Sequence, residues 1–167
     1  MRGVVFYATR YGNTRRVAEA IADGLRSNGT AEVHSVEDGP SPITDEVDLV
    51  AVGGPTEGHG MTPPVLKFLG QLPPLALAGR AAVAFDTRVS WPRWLSGSAA
   101  EGIRERLGRA GATAPVGAES FLVSMKPEIG PDELARARAW GATLARLDRP
   151  THQRKSAPDA RVRHEGV

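Results

Sequence analysis

Between residues 3 and 147 the chain alternates short apolar runs with stretches whose apolar positions recur every three or four residues. The runs are GVVFYA (3–8), AEVHSV (31–36), VDLVAVGG (47–54), RAAVAFD (80–86) and ESFLVSM (119–125). Helical spacing predicts helices from the end of the first run to about Ser27, and over PPVLKFLGQL (63–72), SAAEGIRERLGRAG (98–111) and PDELARARAWGATLARL (131–147). In the first, Val17, Ala20, Ile21 and Leu25 share one side, and Arg15, Arg16, Glu19, Asp23 and Arg26 the other. Thr62 before Pro63 reads as N-cap and first helical residue, and Ser98 with Glu101 has capping-box spacing. Five strands interleaved with helices predict an α/β fold, a parallel sheet covered on both faces.

Strand composition also carries order. A central parallel strand is buried on both faces and reads as continuously apolar, whereas an edge strand can alternate. VVFYA, LVAVG and AAVAF are continuous, while AEVHSV and ESFLVSM alternate. This pattern predicts the order 2-1-3-4-5 with strands 2 and 5 at the edges, although periodicity alone leaves 3-2-1-4-5 open. In the 2-1-3-4-5 arrangement the chain leaves strands 1 and 3 in opposite directions, and a ligand crevice opens at their carboxyl ends. The loops bordering it are TRYGNT (9–14), GGPTEGHGMT (53–62) and DTRVSWPRW (86–94). The first runs straight into a helix N-terminus, where unpaired amides and the helix dipole favour an anion. Thr9, Asn13 and Thr14 add donors and Gly12 permits close backbone approach, so the turn suits a phosphate monoester. A plain helix-capping turn would use the same residue types.

Charge and composition change this picture little. The 167 residues carry a net charge of +2, but residues 1–148 hold 16 Arg and Lys against 17 Asp and Glu, whereas 149–167 hold 5 against 2. The basic excess therefore belongs to the stretch 149–167, which has almost no large apolar side chains and is expected to be a disordered tail following one domain over 1–148. A nucleic-acid or membrane-surface contact there competes with a plain solvated tail. The absence of cysteine excludes disulfides, thiolate metal sites and thiol nucleophiles, so any redox chemistry needs a borrowed cofactor. His34, His59, His152 and His164 lack metal-ligand spacing. No apolar stretch approaches the roughly 20 residues that cross a bilayer, and the first strand begins by Val4 without a basic-then-apolar leader; a cytoplasmic protein is expected. Receiver domains share the 2-1-3-4-5 order but need acids after strand 1 and an aspartate ending strand 3, where this chain has Ala8-Thr9 and Gly53-Gly54. No G-x-G-x-x-G follows strand 1 and no G-K-[ST] occurs, which argues against dinucleotide and triphosphate sites.

A strand, the spacing T-x-x-G-N-T and an amphipathic helix together resemble the FMN phosphate loop of flavodoxins, usually S/T-x-T-G-N-T. The resemblance runs from residue 3 to about 147 and, since no extra segment splits strand 5, is to the short-chain form. It implies a flavodoxin-like three-layer α/β/α fold with a five-stranded parallel sheet and FMN as cofactor. The phosphate is then expected on Thr9, Arg10, Tyr11, Gly12, Asn13 and Thr14. The isoalloxazine is expected between Pro55, Thr56, Glu57, Gly58, His59 and Gly60 on one side and Asp86, Thr87, Arg88 and Trp91 on the other.

Several positions depart from the family pattern. Tyr11 replaces the usual Thr, and Arg10 adds a full charge beside the phosphate. The second loop resembles the GxPT-containing loop of flavodoxin-like quinone reductases and offers only His59 where flavodoxins often stack an aromatic. Trp91 or Trp94 either supplies one aromatic face or packs on neighbouring helices. Asp86 either caps backbone or sits near the flavin's pyrimidine edge. Arg10, Arg88 and Arg93 against Glu57 and Asp86 imply a less negative potential for the second electron than in acidic flavodoxins.

The role implied is an electron carrier with no catalytic side chain, exchanging electrons between a flavodoxin or ferredoxin reductase and an acceptor enzyme. An FMN-dependent NAD(P)H:quinone oxidoreductase and a cofactor-free interaction module are the alternatives. Oligomeric state is not written in one sequence.

Overall fold

A computed structural model describes residues 1–38, 43–113, 117–126 and 128–147. The expected tail at 149–167 lies outside the described residues. The strands are β1 (Arg2–Tyr7), β2 (Thr30–Ser35), β3 (Leu49–Glu57), β4 (Gly60–Met61), β5 (Ala81–Val89) and β6 (Glu119–Val123). The helices are α1 (Asn13–Leu25), α2 (Pro63–Gln71), α3 (Arg93–Ser96), α4 (Ala99–Arg109) and α5 (Pro131–Leu144). The sheet runs β2-β1-β3-β5-β6, all parallel, which is the expected 2-1-3-4-5 order of the five long strands. Direct pairing of β1 with β3 excludes the other order.

Alternation along each strand sends neighbouring residues into opposite layers. Val4 and Phe6 face α2 and α4, packing with Val65, Phe68, Ile103 and Leu107, whereas Val5 faces α1 and α5 with Val17, Ile21 and Leu144. The two cores thus lie on opposite faces of the central strands, which explains their unbroken apolar sequence. The α1 and α5 helices cross with backbones nearly touching: a Cβ on Gly24 would stand 2.1 Å from Arg138 O, and one on Gly141 2.1 Å from Ile21 O. An alanine at either glycine would force the helices apart.

Three local readings are corrected. The stretch after the third long strand is not an open loop: β3 continues to Glu57 and folds back on β4, pairing Thr56 with Met61 and Glu57 with Gly60. The two-residue turn between them uses positive φ at both Gly58 (52°) and His59 (71°), as tight hairpins require. The β5 strand likewise runs past Asp86 to Val89. Finally, Ser98 and Thr62 occupy N-cap positions without making side-chain capping bonds. The Ser98 hydroxyl donates to the Asp86 carboxylate instead.

Candidate functional site

A cleft of about 280 Å³ opens at the carboxyl ends of β1, β3, β5 and β6. Its walls are Thr9, Arg10, Tyr11, Asn13 and Thr14 from the turn into α1; Pro55, Thr56 and Glu57; Thr87, Arg88 and Val89; and Val123, Ser124 and Met125.

One end of the cleft is the start of α1. Gly12, the N-cap, has φ 85°, a left-handed conformation that a side chain would strain. That conformation lets its amide donate to Thr9 Oγ1 at 3.0 Å, while the first intrahelical bond runs from Arg16 N to Gly12 O at 3.1 Å. The amides ahead of Arg16 lie outside the helical ladder, no side chain among the described residues caps the helix, and its first turn holds no acid. Thr9 Oγ1 accepts in its bond to Gly12, so its proton is left for a ligand. Thr14 and Thr87 share a buried hydroxyl contact of 2.8 Å between α1 and β5, in which only one of the two protons is used. Asn13 Oδ1 accepts from the Ile129 amide at 3.2 Å and so ties the segment after β6 to the helix start.

Two charged residues reach across the mouth. Arg10 Nη1 pairs with Glu57 Oε1 at 3.3 Å, and its guanidinium lies 5.4 Å over the Tyr11 ring. The Glu57 hydrogen bond, then the charges of Tyr11 and Glu57, raise the Arg10 pKa above its ordinary value. Arg88 Nη1 donates to Trp91 O at 2.8 Å and, more weakly, to Val89 O and Ser96 Oγ, all neutral oxygens.

Asp86 is wholly buried on the α2 and α4 side of the sheet, continuing the face of Ala82 and Ala84. Its Oδ2 accepts from Thr56 Oγ1 (3.0 Å), Ser98 Oγ (2.8 Å) and the Ala100 amide (3.0 Å). The Thr56 hydroxyl in turn accepts from the Ala99 amide at 2.9 Å. Asp86 therefore supplies a hydrogen-bond acceptor from β5 to the N-terminus of α4, and Thr56 is committed to the same knot. Asp86 Oδ1 and Thr62 Oγ1 are buried without a hydrogen-bond partner among the described residues.

The fold thus brings Thr9, Arg10, Tyr11, Asn13, Thr14, Pro55, Thr56, Glu57, Thr87 and Arg88 to one cleft, with Gly12 shaping its anion end. It does not bring Gly58, His59, Gly60, Asp86 or Trp91 to the lining. The hairpin turn is carried outward, where His59 bridges to Gly97. Sequence reasoning missed Val89, Val123, Ser124 and Met125. The signal for the last three was position alone, at the carboxyl end of the strand beside β5. Among the described residues no cluster of three or more His, Asp or Glu can hold a metal ion, and no helix is long and apolar enough to cross a membrane.

The donor set can be tested against a ligand class. Amides and hydroxyls at one end suit a phosphate monoester, and Pro55, Val89, Val123 and Met125 give the remainder apolar walls for a flat amphipathic group. FMN has both parts, and the residues present fit it.

Comparison with known proteins points the same way. A family model described as flavodoxin matches residues 5–128. Flavodoxin 1 from Bacillus cereus is 25% identical with a TM-score of 0.72, the match covering 89% of this chain and 100% of that one. A flavodoxin from the domain Archaea is 25% identical with a TM-score of 0.67, covering 87% and 96%. An uncharacterized protein of Methanocaldococcus jannaschii is 34% identical over 91 residues, 52% of this chain and 23% of that protein. The chain thus spans about a quarter of that relative's length.

Proposed function

The chain belongs to the flavodoxin family, and on that premise we propose that it binds FMN in the carboxyl-edge cleft and serves as an electron carrier between redox proteins. The observation that carries this reading is the start of α1: a helix end with no acid in its first turn, no side-chain cap and a left-handed glycine that opens its amides. Such an end favours a bound anion, and a phosphate is the anion that matches its neutral donors. The phosphate would be held by the amides ahead of Arg16, the Thr9 hydroxyl, the Thr14 and Thr87 pair and Arg10. Pro55, Thr56 and Glu57, with Thr87, Arg88, Val89, Val123, Ser124 and Met125, would flank the ring. Bound flavin supplies the redox chemistry, and the protein contributes position, exclusion of water and local charge.

On the protein's side, the Asp86 knot fixes the β3 end against the start of α4, so the two walls bearing Thr56 and Thr87 are rigidly spaced before any ligand arrives. Rigid walls lower the ordering cost of binding. Exchange partners are proposed to be a reductase and an acceptor enzyme. The family describes carriers in general, and an electron carrier needs no substrate pocket beyond the flavin.

Titrating the purified chain with FMN tests the proposal. Expected are a perturbed flavin absorption spectrum, calorimetric heat and a raised thermal midpoint. No heat together with an unmoved midpoint would overturn it. Adding NADPH and a quinone to the loaded chain tests the enzyme alternative: rapid turnover without a reductase would make it a quinone oxidoreductase.

A further inference from the structure

The outermost strand of a sheet carries backbone N–H and C=O groups with no neighbouring strand, and an unguarded row of them is a template for pairing with another chain. The β6 strand pairs with β5 alone, so its outer side is such an edge. Its sequence, ESFLV, favours pairing: Phe121 and Val123 are strong strand formers and only Glu119 is charged. The backbone groups of Ser120, Leu122 and Ser124 face away from β5, and each meets something other than a strand. Ser124 N donates to Glu128 O at 3.0 Å, where the chain doubles back with Val123 opposite Ile129. Leu122 N donates to Glu133 Oε2 at 2.7 Å, and Arg136 Nη2 donates to Ser120 O. Glu133 and Arg136 stand one turn apart on α5 and pair with each other at 2.8 Å. Arg136 also pairs with Glu119 and lies 4.5 Å over the Phe121 ring.

Two features set this arrangement apart from a chance surface contact. Glu133 stands in the first turn of α5, where a carboxylate ordinarily serves the helix's own amides, yet its Oε2 is given to the strand and α5 has no side-chain cap among the described residues. The same pairing of groups recurs at the opposite edge of the sheet. There Arg26 donates from Nε and Nη2 to Ala31 O at 3.2 and 2.9 Å, and Ser35 N donates to Asp38 Oδ2 at 3.3 Å. A cation on an edge carbonyl and a carboxylate on an edge amide thus guard both β2 and β6, from unrelated segments of the chain. At β6 the two side chains are 24% and 40% exposed, so water reaches them and the closure can open.

We propose that Glu133 and Arg136 form a clasp that closes the β6 edge, and that opening it turns β6 into a docking edge for β6 of a second copy of this chain. The clasp occupies the amide of Leu122 and the carbonyl of Ser120, the groups an incoming strand needs. A second copy is the occupant because antiparallel pairing about a two-fold axis sets each edge against an identical one, donors against acceptors, and so makes the edge complementary to itself. The two sheets would then run on as one through the paired β6 strands.

The test uses the full chain and needs no ligand, so its outcome is separate from that of the FMN proposal. Sedimentation velocity over a concentration series compares the wild type with the double variant Glu133→Ala, Arg136→Ala, in which the net charge is unchanged. The variant is expected to self-associate about ten-fold or more tighter than the wild type, as two edges exchange several backbone hydrogen bonds. Adding Leu122→Pro deletes the outward N–H without touching the β5 ladder, and should return the variant to the wild-type state. Removing the exposed pair of Glu105 and Arg109 on α4 in the same way should change nothing. Hydrogen exchange reads the clasp without any variant: the Leu122 amide should exchange as slowly as the ladder amides of β6. In Glu133→Gln, which keeps an acceptor, it should speed up only a few-fold. A folded double variant no more associated than the wild type would overturn the proposal, as would association that Leu122→Pro leaves intact or a Leu122 amide that exchanges freely in the wild type. Should the double variant fail to fold, the Leu122 exchange rates decide.

Discussion

Two helices begin at the carboxyl edge of the sheet within reach of the same cleft walls, and they satisfy their N-termini in opposite ways. The α4 helix receives a buried carboxylate from the neighbouring strand, with Asp86 Oδ2 on the Ala100 amide, and carries Glu101 in its first turn. The α1 helix receives nothing comparable: its cap is Gly12, and its first turn holds Asn13, Thr14 and Arg15 with no acid. A helix N-terminus behaves as about half a positive charge. Where the protein supplies the counter-charge the end is structural, and where it withholds one the end is available to a ligand. The α2 helix offers no rival site, because it opens on Pro63 and Pro64, neither of which has an amide hydrogen to donate.

Removing the internal acceptor should have the largest effect. Asp86→Ala leaves the Ala100 amide and the Ser98 and Thr56 hydroxyls without their acceptor, and should destabilise the fold by about 3 kcal/mol, roughly 6–12 °C in thermal midpoint. Asp86→Asn, which keeps an acceptor, should recover part of this; denaturant melts of the three proteins decide.

Giving α1 an anion of its own should come next. Thr9→Asp retains the acceptor for the Gly12 amide and adds a charge that caps the helix. The ligand-free chain should gain about 0.5 kcal/mol, while FMN affinity should fall on the order of 100-fold through repulsion of its phosphate. Calorimetry and thermal melts would show these opposite signs. A loss of stability without a loss of affinity would reverse the reading of this turn.

A third, smaller effect concerns α5, which also carries its own acids, Asp132 and Glu133. Burial acts to raise the Glu133 pKa, but hydrogen bonds from Arg136 and the Leu122 amide, with the Arg136 charge, hold it below its ordinary value of 4.5. A carboxylate with a depressed folded pKa contributes stability above that ordinary value and loses it as pH falls through the folded one. Glu133→Gln should therefore cost about 1 kcal/mol at neutral pH, with the difference closing in acid, as pH-dependent melts would report. The smallest effect is expected from Arg10→Gln. Its exposed pair with Glu57 contributes little to stability, so the melt should not move while FMN affinity drops a few-fold.

Much of this protein follows from local sequence. The apolar runs and the three-to-four spacing determined the strands and helices, and unbroken apolar composition in VVFYA, LVAVG and AAVAF placed them at the sheet centre, because only a strand covered on both faces can be apolar at every position. The donor types of the turn TRYGNT were legible too, since they are carried by residues adjacent in the chain, although sequence alone left open whether they cap the helix or face a ligand. What the tertiary structure alone decided is where non-adjacent groups meet. Strand alternation puts residues 82, 84 and 86 on one side, but only the packing of α2 and α4 there made that side interior and turned Asp86 from a cleft carboxylate into a helix cap. The same holds for the fold-back of Gly60–Met61 on β3, which carries His59 away from the cleft, and for Val123, Ser124 and Met125, brought to it by the pairing of β6 with β5. Backbone periodicity is a short-range property written residue by residue, whereas burial and partner choice depend on contacts between segments far apart in the chain, which no local pattern encodes.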